Sequence, residues 1–289
     1  MNNLQSLSIN GIQLHCLEKG EGEPLILMPG AIGDFRSWTN QMDEFFRHFR
    51  TIALSRRYEF PSKYVKGGDG SMDPCISDLL GLIAHLNLKK VSLVGHSFGG
   101  YICLAFTHRY PHLVNRLVLE EPTIFPYITN NPKNPLKLLP LAFNDFGAAL
   151  SFLKMGFFGL KPCAKALAKC DFDAARMAFF NAIVSGKMLF EDANPILQQQ
   201  LLDNIEAFQG ENNPFIYPFK KEQVKEIKTP TLILEGGKSP RWFGYICEQL
   251  HHDMPHAKLM KFHSPTHWLH LDLAKEFNKT VIDFIEALN

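Results

Sequence analysis

Apolar residues recur along this chain in two alternating spacings. Short runs dense in β-formers, PLILM (24–28), RTIAL (50–54), VSLVG (91–95), RLVLE (116–120), TLILE (231–235) and AKLMKF (257–262), lack strict polar alternation and predict strands buried on both faces. Between them, SWTNQMDEFFRHF, CISDLLGLIAHLNL, GGYICLAFTHRY and, near the end, AKEFNKTVIDFIEAL carry helical spacing. At the start, LSINGIQLHCLEKG alternates around Asn10-Gly11, a pair suited to the two positive φ angles of a tight hairpin turn. Strands alternating with helices predict an α/β fold with a mostly parallel central sheet and helices on both faces.

The alternation stops between about Pro122 and Lys221. There the pattern becomes helical, in FGAALSFLKM, DAARMAFFNAIVSGKM and NPILQQQLLDNIEAF, and this stretch holds over half of the phenylalanines. The expected organisation is a core in two parts, residues 1–122 and 221–289, with a helical cap inserted at 123–220. Most of those phenylalanines suit packing of a small subdomain, and a cap closing over a cleft presents some of them to an apolar ligand.

Composition changes this picture little. With 46% hydrophobic and 20% charged residues over 289 positions, the chain is an ordinary globular sequence. Thirty basic against twenty-nine acidic residues give a net charge of +1 without a basic stripe, so neither nucleic acid nor an anionic membrane is expected as a partner. No signal peptide or membrane-length apolar run is evident, and the expected location is cytoplasmic. Six scattered cysteines without C-x-x-C spacing read as reduced and mostly buried. Twelve histidines include no H-E-x-x-H, and neither a metal nor a cofactor is expected.

The chemistry concentrates in VSLVGHSFGGYICLAF, where G-x-S-x-G (Gly95 to Gly99) joins an apolar strand to an apolar helix. A serine on such a turn needs small neighbours, because larger side chains would collide with the strand. The turn projects the Ser97 hydroxyl into a cleft and places the Phe98 N–H at a helix N-terminus, where negative charge is favoured. A second donor for an oxyanion is expected after an early strand, and LILMPGAIGDFRSW offers the N–H of Ala31 beside Gly30. For the base, AKLMKFHSPTHWLHLDLAKEF offers three histidines. His267, before the start of the final helix, is preferred to His270, and His263, near a strand end, reads as structural.

On these segments the chain resembles the α/β-hydrolase family over nearly its whole length. LILMPGAIGDFRSW resembles the family's oxyanion segment, with Pro29 in place of the usual histidine; VGHSFGG resembles its nucleophile elbow; SPTHWLHL resembles the loop bearing its catalytic histidine. One departure stands out. In LILEGGKSP the customary aspartate falls at Ser239, which cannot act as a carboxylate. Some family members carry the acid after the strand that follows the nucleophile's helix, and RLVLEEPTIF places Glu121 there. Strand alternation points Glu120 the other way. A pair of solvated glutamates at a strand end is the structural alternative.

The resemblance implies a serine hydrolase using Ser97, His267 and Glu121 on an ester-type carbonyl of a small or medium-sized, largely apolar substrate, without a cofactor. A serine nucleophile argues against haloalkane dehalogenase chemistry. Carbon–carbon hydrolase, lactonase, perhydrolase and acyl-transfer activities share these residues, and a ligand-binding or signalling role with little turnover is a further reading. Arg56 and Arg57, after the second parallel run, read as solvated loop residues outside the site.

Overall fold

The computed structural model describes residues 4–129, 131, 134–211, 217–263 and 266–287. Strands β1 (Leu4–Ile9) and β2 (Ile12–Lys19) form the expected hairpin, and both Asn10 (φ 50°) and Gly11 (φ 77°) take the left-handed conformation its two-residue turn demands. Six further strands follow: β3 (Pro24–Met28), β4 (Arg50–Ser55), β5 (Val91–His96), β6 (Val114–Glu120), β7 (Thr231–Gly236) and β8 (Lys258–Phe262). They build one sheet in the order β1-β2-β4-β3-β5-β6-β7-β8, antiparallel at β1-β2 and β2-β4 and parallel elsewhere.

Helices cover both faces. One apolar core joins the sheet to α2 (Met72–His85), α3 (Ser97–Arg109) and α9 (Arg241–Asp253); the other joins it to α1 (Thr39–Phe45) and α11 (Ala274–Glu286). Central strands are buried on both sides, as their unbroken apolar runs require. β8 departs from that expectation. It is the sheet edge, and most of its residues face solvent, which its two lysines, Lys258 and Lys261, tolerate. All six cysteines are free, and Cys170 alone is exposed.

Between β6 and β7 the described residues form α4 (Leu139–Asn144), α5 (Phe146–Met155), α6 (Lys161–Leu167), α7 (Phe172–Val184) and α8 (Pro195–Asn204) without a strand. Asp145, Asp171 and Asn194 start α5, α7 and α8 by accepting backbone N–H bonds from the first turn. A π-helical turn, Gly156–Leu160, joins α5 to α6, so helical backbone runs without a break from Phe146 to Leu167. This insertion is tied to the core by polar bonds. Asn204 Nδ2 donates to the Ile32 carbonyl at 3.0 Å and to Asp34 at 2.7 Å, fixing the loop that follows β3. No helix among the described residues is long and apolar enough to cross a membrane.

Gly159 sets the approach of the π turn to α7: a Cβ there would strike the Ala182 side chain and lie 2.6 Å from its Cα. Gly159→Val is expected to destabilise the protein by about 1–3 kcal/mol through this overpacking, read as a lower urea midpoint with an unchanged slope.

Candidate active site

β5 ends at His96, and the chain turns sharply into α3 through Ser97, a non-glycine residue held at φ 52°. Such backbone is costly for a side-chain-bearing residue and persists only where its surroundings enforce it. The enforcement is close packing. A Cβ on Gly99 would strike the Pro29 carbonyl oxygen, and one on Gly30 would lie 2.7 Å from His96 Nδ1 and 3.1 Å from the Ser97 Cβ. The loop after β3 therefore rests directly on the elbow. Ser97, Phe98 and Ala31 line one cavity with His96 and His267. Phe98 is the second residue of α3, where a backbone N–H has no acceptor within the helix.

His267 is buried, and its Nδ1 lies 2.7 Å from Glu121 Oε2. β6 closes at Glu120, and Glu121 follows it at φ 41°, turned out of the strand phase toward the histidine loop. The carboxylate is itself fully buried and accepts two more bonds, from the Gly236 N–H to Oε1 and from Ser239 Oγ to Oε2, each 2.7 Å. Burial drives both partners toward their neutral forms, raising Glu121 and lowering His267, while the Ser239 and Gly236 donors pull Glu121 back down. Ser239, the position where the sequence lacks an aspartate, is thus a donor to the carboxylate that stands opposite.

Glu120 makes a second, parallel pair. It accepts from the His270 N–H at 3.2 Å and meets His270 Nδ1 at 2.9 Å from both oxygens. Burial alone would raise this carboxyl, but His270 and His96 lower it on balance. The solvated-glutamate alternative does not hold, since both glutamates are wholly buried. His263 is exposed just past β8, and Ser264 and Pro265 of the histidine loop lie outside the described residues. The final helix does not follow His267 directly either, because a short α10 (Leu269–Asp272) intervenes and carries His270.

Three further contacts escape a reading of the sequence. His96 Nε2 donates to the His267 carbonyl at 2.9 Å and its ring packs 4.6 Å from that of His267, so the residue before Ser97 holds the histidine loop. Phe243, on α9, stacks on the His267 ring at 3.9 Å. Arg56 is the third, and its placement corrects the expectation of a solvated loop arginine: it is 5% exposed and donates to Glu59, to Glu211 at 2.8 Å and to the Gly30 carbonyl at 3.1 Å. Arg57 is likewise paired, with Asp78. Their signal was the acid Glu59 three residues after Arg56, but Glu211 is 155 residues away and invisible locally.

His96, Glu120 and His270 offer ligand-type atoms within 4.8 Å of one another. The Glu120 oxygens are bonded to His270 Nδ1 and His96 Nε2 to the His267 carbonyl, while His270 Nε2 is buried without a hydrogen-bond partner among the described residues. The cavity above the site measures about 1050 Å³ and is lined mainly by apolar groups, with Phe125, Phe152, Phe157, Phe179 and Phe208 all from the insertion. That volume stands at the upper end of small-molecule pockets.

Removing Arg56 strands two buried carboxyls, Glu59 and Glu211, and releases the Gly30 carbonyl. Arg56→Met is expected to cost about 3–5 kcal/mol in a urea titration. Ser239→Ala is expected to cost about 1–3 kcal/mol, since it removes one donor from a buried oxygen of Glu121.

Residues 23–158 match the family described as "alpha/beta hydrolase fold". A 2-hydroxy-6-oxo-2,4-heptadienoate hydrolase of Pseudomonas putida is 35% identical over 112 residues, which are 38% of this chain and 41% of that relative. Epoxide hydrolase 3 of Xenopus tropicalis is 24% identical across 96% of this chain and 76% of its own length. Among solved structures, the carboxylesterase CesB of Bacillus subtilis superposes with a TM-score of 0.70 at 19% identity, covering 98% of this chain and 91% of that one. With the strand order, the strained serine elbow and the loops that meet it, these likenesses show that the chain has the α/β-hydrolase fold.

Proposed function

We propose that this protein is a serine hydrolase acting on an ester-type carbonyl, with Ser97 as nucleophile, His267 as general base and Glu121 as the acid that orients it. The observation that carries the reading is the buried 2.7 Å bond between Glu121 and His267 Nδ1, with His267 and Ser97 both lining one cavity. With Nδ1–H donating to Glu121, Nε2 is the nitrogen left with a lone pair, and it takes the proton as Ser97 Oγ attacks. The oxyanion forms against the N–H groups of Ala31 and Phe98. His267 then returns the proton to the leaving alcohol. Water, activated by the same nitrogen, releases the acid from the acyl-serine.

A serine nucleophile fits a carbonyl substrate better than an epoxide. Attack on a carbonyl gives an ester that water can cleave, whereas attack on a saturated carbon gives an ether of Ser97 that has no such exit. Residues 123–220 act in this reading as a cap, and its phenylalanines supply the apolar wall for the acyl group. A cavity of about 1050 Å³ suits a larger acyl or aromatic group than the sequence led us to expect.

Labelling by a fluorophosphonate at neutral pH, followed by intact mass, tests this. Wild type is expected to label fast, Ser97→Ala not at all, and Glu121→Gln about a hundredfold or more slower, since the amide can hold the wrong tautomer. Labelling of Glu121→Gln at the wild-type rate would remove Glu121 from the role, and no labelling of wild type would overturn the hydrolase reading.

A further inference from the structure

The insertion carries an unusual outer surface. Of the twelve exposed large hydrophobic side chains among the described residues, seven lie between Leu136 and Phe158: Leu136, Leu139, Phe143, Phe146, Leu150, Phe157 and Phe158. Phe143 is 88% exposed, Phe158 77% and Phe146 70%. Burying such rings against a partner is worth about 1.5–3 kcal/mol each, so leaving them in water forgoes a large gain.

Their spacing makes them one face. Along the unbroken helical backbone, Phe146, Leu150, Lys154, Phe157–Phe158 and Lys161 recur every three or four residues, so they stand above one another on a single side. Leu139 and Phe143 repeat that spacing on α4, which packs against α5. The charges within this segment are of one sign. Residues 134–170 contain Lys137, Lys154, Lys161, Lys165 and Lys169 and a single acid, Asp145. All five lysines are exposed and none pairs with a carboxylate among the described residues, whereas Asp145 is engaged by Arg241 and caps α5.

Exposed aromatic rings bordered by unpaired lysines are the chemistry of a helix that lies in the interface of an anionic bilayer: apolar groups enter the acyl boundary and lysines meet the headgroups. A soluble protein partner would require no such uniform sign. Phe157 and Lys161 belong both to this face and to the cavity lining, so the cavity reaches the surface there. We propose that the α4–α6 face docks on a membrane surface containing anionic phospholipid and turns the cavity mouth toward the bilayer. The chain's net charge of +1 conceals this face, because the balancing acids lie elsewhere.

The test is cosedimentation of the full chain with vesicles of equimolar phosphatidylcholine and phosphatidylglycerol. It needs no turnover, so it fails or succeeds independently of the hydrolase assignment. Wild type is expected to bind at low ionic strength and to be released as salt rises. The combined substitution Phe143→Ser, Phe146→Ser and Phe158→Ser, none of which lines the cavity, is expected to weaken partitioning at least about tenfold. Lys154→Gln and Lys165→Gln are expected to weaken it roughly fivefold each on anionic vesicles. Circular dichroism unchanged from wild type certifies the fold of each variant. Wild type that ignores the vesicles overturns the proposal, as does an aromatic triple variant that binds equally well. A dimer in the ultracentrifuge that the triple variant abolishes, with no vesicle binding by wild type, would assign the face to a second copy instead.

Discussion

The site depends on one buried bond, between Glu121 and His267. A carboxylate removed from water and left unpaired is costly by several kcal/mol, and a histidine buried beside it loses its charged form as well. Neither could sit there alone. Glu121 is accommodated because three donors converge on it, from His267, the Gly236 backbone and Ser239. Each such bond contributes about 1.5–3 kcal/mol to holding the charged form, so together they offset part of the burial, which still raises Glu121 on balance. The same three bonds fasten the ends of β6 and β7 to the histidine loop, which makes the acid a structural joint as well as a partner for the imidazole.

From that joint the remaining geometry follows by contact. His96 passes the constraint to the elbow by donating to the His267 carbonyl, Gly30 brings the loop after β3 against His96, and Arg56 holds the Gly30 carbonyl from behind. Glu211 ties Arg56 to the end of the helical insertion, and Asn204 ties the insertion to Ile32 and Asp34. The insertion therefore both roofs the cavity and fixes the loop beneath it. Its outer side has the opposite character, with aromatic rings left in water where the core could have used them.

Exchange of an acid between two strand ends is physically simple in this sheet. β6 and β7 are adjacent and parallel, with Glu120 opposite Leu234, so residues just past their ends reach the same space. A carboxylate from either end can meet the histidine, provided the other end supplies a donor. Ser239 does so here. The departure from the family pattern in the sequence thus becomes a compensated pair in the structure.

Local pattern determined much. The six apolar runs are six of the strands almost to the residue, five of them because strands buried on both faces need continuous apolar sequence, and Asn10-Gly11 fixed the hairpin because few residues tolerate its φ angles. The elbow was legible for the same local reason: small residues are required where backbone meets backbone. Strand phase led to Glu121, but the strand ends at Glu120, and the left-handed backbone at Glu121 turns its side chain to His267. What only the tertiary structure decided were the pairings across long sequence separations: Arg56 with Glu211, Ser239 with Glu121, and Phe243 on the His267 ring. The edge position of β8 and the gathering of exposed rings and lysines on α4–α6 belong to the same group. Burial, which turns a loop arginine into a paired core residue and a neutral charge balance into a one-sided face, is a property of what surrounds a residue in space, and sequence neighbours carry little record of it.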